Sequence, residues 1–134
     1  MKTSGLIPAL LVIGRGINNN CYLGVAPADA VLPYCVIQLL PAAPVSYQTD
    51  GVDVTQNIPI SIMTYHAGLA ECSSEMVKYE VAFSHIHVDN SYGRILDSFI
   101  TSQNIYPDEN RLPSGEEVWC GTMKIDLLTE RNLS

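Results

Sequence analysis

Within residues 58–88 the apolar spacing changes from two to between three and four, and this change constrains the fold more than anything else in the chain. In residues 58–65 (IPISIMTY), Ile58, Ile60, Ile62 and Thr64 fall on one side and Pro59, Ser61, Met63 and Tyr65 on the other. That is the period of a half-buried strand, with Pro59 near its start, where a missing donor is tolerated. From Gly68 to Val88, Leu69, Cys72, Met76, Tyr79 or Glu80, Phe83 and Ile86 recur every three or four residues, while Glu71, Ser74, Glu75 and Lys78 take the other face. This predicts an amphipathic helix, with Glu71 and Glu75 complementing its positive end. A strand followed directly by a helix of this kind needs one face of a sheet for the helix to cover.

The remaining segments extend this frame. Residues 4–14 fit a short N-terminal helix, with Ser4 as a cap and Pro8 in its first turn. Gly14, Gly16, Asn18 to Asn20, Gly24, Pro27 and Pro33 punctuate a surface loop with a brief extended piece at residues 21–25. Residues 34–40 (YCVIQLL) read as a buried strand ending at Pro41. Asp50-Gly51 supplies a tight hairpin turn within residues 45–55. Residues 94–105 read as a strand, 106–116 as a polar turn, and 118–128 as a final strand in which Trp119, Gly121, Met123, Ile125 and Leu127 share a face. The expected fold is a single α+β domain over residues 1–134. It has a mostly antiparallel sheet of about four strands, one long helix packed across it and a short N-terminal helix.

The most chemically suggestive residues are those of HIHVD, residues 85–89. In a strand, His85, His87 and Asp89 would project from one face about 7 Å apart, a spacing that zinc enzymes with HxHxD sequences use. At the end of a helix, His85 and Asp89 share a face while His87 points away, and the cluster dissolves. The periodicity running in from Leu69 favours the helix, so no metal ligands are assigned. His66 with Cys72 could be drawn as a nucleophilic pair, but no surrounding motif supports it. Gly14-Arg15-Gly16 is too short for a phosphate loop. Asp108-Glu109 and Glu116-Glu117 read as solvated turns with nothing apolar beside them to raise a pKa. No catalytic, cofactor-binding or metal residue is therefore expected, and no enzyme.

Composition narrows the partners. Seven basic residues lie singly along the chain against 14 acidic ones, a net charge of −7, which disfavours tight binding to nucleic acid. The charged fraction is 16%, against about 25% in average soluble domains, so some apolar surface is expected to meet other subunits. Cys21, Cys35, Cys72 and Cys120 are far apart and read as buried free thiols, which fits a reducing compartment. The apolar run after Lys2 weakly mimics a signal peptide, but Pro8 favours a core or interface segment. No apolar stretch approaches the roughly 20 residues needed to span a bilayer.

Four pieces of the chain resemble the tail-completion, or tail-terminator, proteins of long-tailed bacteriophages. Residues 26–37 (APADAVLPYCVI) are similar to the family's loop with a Pro-Tyr step into the first strand. Residues 57–65 are similar to its central strand, 67–86 to its long helix, and 118–127 (VWCGTMKIDL) to its closing strand. The resemblance implies a structural virion protein with no cofactor, which works at the neck of the virion after assembly in the host cytoplasm. It would form a homo-oligomeric ring, typically a hexamer, that caps the tail tube, ends its polymerisation and joins the tail to the head. Its implied partners are its own copies, the tail tube protein and the head-tail connector, with DNA passing through the lumen without specific binding. Like charge suits such a lumen. The polar segments 47–55 and 106–115 are the candidate contact loops. A head-completion or connector protein, or a small metal-dependent hydrolase using His85, His87 and Asp89, are the alternatives.

Overall fold

The computed structural model describes residues 7–40, 46–48, 53–90, 93–111 and 117–132. In chain order these form α1 (Ile7–Ile17), β1 (Cys21–Leu23), β2 (Tyr34–Leu39), β3 (Ser46–Gln48), β4 (Asp53–His66), α2 (Leu69–Phe83), β5 (Val88–Asn90), β6 (Gly93–Arg111) and β7 (Glu117–Asn132). All seven strands join one sheet in the order β1-β2-β4-β7-β6-β5, with β3 also paired to β4.

Three long strands make the centre. β7 pairs with β4 from Asp53↔Asn132 to His66↔Trp119, and with β6 from Gly93↔Arg131 to Arg111↔Glu117. The other side of β4 is shared: β2 takes Ile60 to Tyr65, and β3 takes Val54 to Gln56. β1 and β2 run parallel and every other pair is antiparallel, so the sheet is mixed.

This overturns the expected sheet of about four strands with one long helix. Among the described residues strand dominates, in a mixed sheet of seven strands, beside the expected pair of helices, here of 15 and 11 residues. The physical reason lies in length and polarity. β1, β3 and β5 have three residues each, too few for any alternation to be read, and they exist because a longer neighbour offers its edge. β6 and β7 continue through polar residues that look like loop in isolation, and so the expected polar turn at 106–116 is strand as far as Arg111. The Asp50-Gly51 turn lies outside the described residues, as do residues 112–116. Gly14 and Gly16 are inside α1, which runs three residues past its expected end, while its expected start at Ser4 lies outside the described residues. Gly14 is required there, since a Cβ would lie 2.7 Å from the Cys21 sulfur.

The core lies between the sheet and the helices. Ile58, Ile60 and Ile62 of β4 sit in register with Leu127, Ile125 and Met123 of β7, and all six are buried. Cys72, Met76, Tyr79 and Phe83 of α2 cover them, and Leu10 of α1 closes the side over β1 and β2. The next pair in register, Thr64↔Gly121, shows how close the helix comes: a Cβ on Gly121 would meet Met76 Sδ at 2.7 Å. Burying the six strand residues contributes about 1.5–3 kcal/mol each.

α2 stops at Phe83, two residues short of the first imidazole of HIHVD. Ser84 N–H donates to the Glu80 carbonyl, His85 takes a φ of 55°, and its N–H donates to Ser98 of β6. A residue with positive φ is a common helix stop, usually Gly. The expected continuation through both histidines is therefore wrong. Ile86 is buried, but from the connector, which preserves the helical spacing without the helix.

Candidate functional site

The buried face of β4 is apolar at positions 58, 60 and 62 and then turns polar at Thr64 and His66, both buried. An ionisable ring there needs a partner. His66 Nε2 lies 2.8 Å from Thr64 Oγ1 and 3.2 Å from Glu75 Oε2. Facing a carboxylate, this nitrogen carries the proton of the neutral ring. The other oxygen of Glu75 accepts from Tyr79 Oη at 3.0 Å and from Asn18 Nδ2 at 3.2 Å. One carboxylate thus ties the end of β4, the middle of α2 and the residue after α1 together. Burial holds the His66 pKa below its ordinary 6.5, against the Glu75 and Glu71 carboxylates, which pull it up.

Two hollows open beside this network. One of about 430 Å³ is lined by Pro33, His66, Ala70, Glu71, Ser74, Glu75 and Lys78. A second of about 310 Å³ is lined by Leu32, Pro33, His66, Ala67, Gly68 and Glu71. The hydroxyl bonded to His66 belongs to Thr64, which has no exposed surface from which to attack a substrate. Cys72, drawn from the sequence as a partner for His66, packs instead beside Met76 and Gly121, and burial pushes its thiol up to about 11. A thiol held protonated is a poor nucleophile. The arrangement is chemically suited to fastening three elements together.

The sequence candidates do not converge. His85 is 68% exposed, and its Nδ1 lies 2.9 Å from Asp97 Oδ1. This hydrogen bond, with the Ser98 N–H, holds the Asp97 carboxyl below its ordinary value. Asp89 is on β5 opposite Arg94, and His87 is exposed in the connector. Among the described residues no group of three or more His, Cys, Asp or Glu is placed to hold a metal ion. Arg15 lies in α1, its Nε donating to the Cys21 carbonyl at 3.4 Å. Asp108 and Glu109 lie on β6, Glu117 begins β7, and Glu116 is outside the described residues.

What the sheet presents outward is more distinctive. On the face away from the helices, Tyr34, Tyr65, Cys120 and Tyr106 stand in register across β2, β4, β7 and β6. The Tyr34 and Tyr65 rings stack with centroids 4.7 Å apart, and Tyr22 meets Tyr34 edge-on. The Tyr65 hydroxyl points to Met63 Sδ at 3.8 Å, and the neighbouring Cys120 thiol, followed by burial, pushes Tyr106 up to about 12. No family model matches the chain, and no curated protein matches it. Among solved structures it is similar to a chain in the structure described as the virion of a native gene transfer agent particle. The identity is 17%, the match covers 97% of this chain and 90% of the other, and the TM-score is 0.49.

The two sides of the sheet also differ. β5 covers β6 only from Gly93 to Ile95, and the His85 N–H reaches Ser98. Beyond that point no described strand pairs with the outer edge of β6. From Ser98 to Tyr106 this edge has no charged residue, and Phe99 and Tyr106 are 45% and 38% exposed. At the opposite side, Leu23 and Leu39, with Val25 and Val31 of the following loop, are exposed. Neither feature was read from the sequence. The uncharged run SFITSQNIY was visible, but its position at an edge depends on β7 taking the inner side.

Proposed function

We propose that this chain is a structural virion subunit that associates head-to-tail into a ring, caps the tail tube and joins it to the head. The observation that carries this reading is the uncharged outer edge of β6. Proteins that work alone blunt long edges with charges, Pro or a covering element, because unpaired N–H and C=O groups recruit other chains. Among the described residues, the stretch from Ser98 to Tyr106 carries one bulge, between Ile100 and Ser102, and no Lys, Arg, Asp or Glu. Two unlike edges on opposite sides of one sheet support a heterologous contact, which repeats around an axis and closes as a ring when the rotation allows. The four resembling segments, the low charge density and the net charge of −7 support the placement at a tail end around a DNA path.

Gln103→Lys with Asn104→Lys tests this at exposed positions of that edge. Purified protein, alone and mixed with tail tubes, is followed by light scattering and negative-stain imaging. The natural chain should give rings or capped tube ends. The double variant should keep its melting temperature, since exposed substitutions cost within about 0.5 kcal/mol, and lose assembly at least tenfold. A variant that assembles as well as the natural chain removes the edge from the interface, and tubes that grow past the natural protein end the capping proposal.

A further inference from the structure

Cys21 and Cys35 are a pair that the described fold brings together and that no part of the assembly reading uses. They are register partners on the parallel strands β1 and β2, neither has any exposed surface, and their sulfurs are 3.0 Å apart. Both carry free thiols. Adjacent strands lie about 4.8 Å apart, which falls inside the roughly 4.4–6.8 Å Cα separation that a disulfide bridges without backbone movement. From 3.0 Å the sulfurs need to approach by about 1 Å to reach bonding distance. Gly14 leaves room behind Cys21, where a side chain would crowd its sulfur. Among the described residues β2 is the only strand beside β1, so of the sheet's members β1 is among the easiest to open.

We propose that Cys21 and Cys35 form an oxidation site, at which a peroxide converts the thiol pair into a disulfide that clamps β1 to β2. The Cys21 thiolate attacks one peroxide oxygen, the O–O bond breaks, and the departing hydroxide leaves as water with the thiol's proton. Cys35 sulfur then attacks the Cys21 sulfenic acid, and its proton goes to the departing hydroxyl as a second water. Two sulfurs lose two electrons in all and one peroxide gains them. The roles follow from the shared hydrogen bond, which favours the thiolate at Cys21 and the protonated thiol at Cys35, with burial opposing it at Cys21. The proposal is independent of ring assembly.

The reduced full chain is treated with one equivalent of hydrogen peroxide under native conditions and mapped by mass spectrometry without reduction. The expected result is a loss of about two mass units and a peptide linking Cys21 to Cys35. The melting temperature should rise by roughly 5–10 °C and return on adding dithiothreitol. In Cys35→Ser, a sulfenic acid trapped by dimedone at Cys21 supports the stated order of attack. Four thiols still titratable after treatment, oxygen adducts at Cys21 with no linkage in the natural chain, or a bridge through Cys72 or Cys120 would each overturn the proposal.

Discussion

At the scale of single residues, the chain places its one buried histidine where its neutral form is favoured. Glu75 and Glu71 of α2 and the Thr64 hydroxyl face His66, and burial prevails over the carboxylates to lower its pKa. A base whose folded pKa lies below its unfolded value is more easily protonated when unfolded, so stability falls as pH drops through 6.5. His66→Gln keeps a donor and removes the titration. Between pH 7.5 and 5.5 the natural protein should lose on the order of 1 kcal/mol relative to this variant, read from paired melting curves. Parallel curves would show that Glu75 compensates the charge. The position of His66 was legible in part: it continues the even-numbered register of Ile58 to Thr64, and an ionisable group on a buried register demands a partner. The network beyond it was not legible, because Asn18, which donates to the same Glu75 carboxylate, is 57 residues from Glu75 in the chain. HIHVD misled for a related reason. Ile86 keeps a three-residue step from Phe83, and nothing in the sequence announces that His85 takes the backbone conformation usually left to Gly.

Among the elements, α2 and the three long strands were readable because each has enough turns or alternations to establish a period. β5 was not, since pairing with a neighbour creates it, while β1 and β3 were visible only as the extended piece at 21–25 and one arm of the hairpin at 45–55. α2 comes close over β7 at Gly121, where a methyl group would meet Met76 Sδ at 2.7 Å, Met76 Cγ at 2.8 Å and Cys72 Sγ at 3.1 Å. Gly121→Ala should cost about 1–3 kcal/mol in chemical denaturation through overpacking. Met76→Ala alone should cost about 2–5 kcal/mol through the cavity it leaves. Together they should cost less than their sum by at least about 0.5 kcal/mol, because the shortened side chain vacates the space that the new methyl needs. Simple additivity in the double-mutant cycle would mean that the helix shifts as a body instead.

For the whole molecule, a net charge of −7 on each copy opposes association between like subunits. If the contacts are backbone pairing and apolar burial at the sheet edges, raising the salt from about 50 to 500 mM should strengthen self-association as the Debye length contracts from about 14 to 4 Å. Sedimentation velocity reads this directly, and weakening with salt would assign the interface to ion pairs. The overall architecture was only partly foreseeable, since the sequence order of the strands says little about which one lies innermost. That strand is β7, the shared partner of β4 and β6 along nearly their full lengths. It is also the last of the described strands to be synthesised. While a ribosome still shelters the stretch up to Asn132, no described strand joins the two halves of the sheet and only α2 touches both, so completion of the sheet waits for the emergence of this strand.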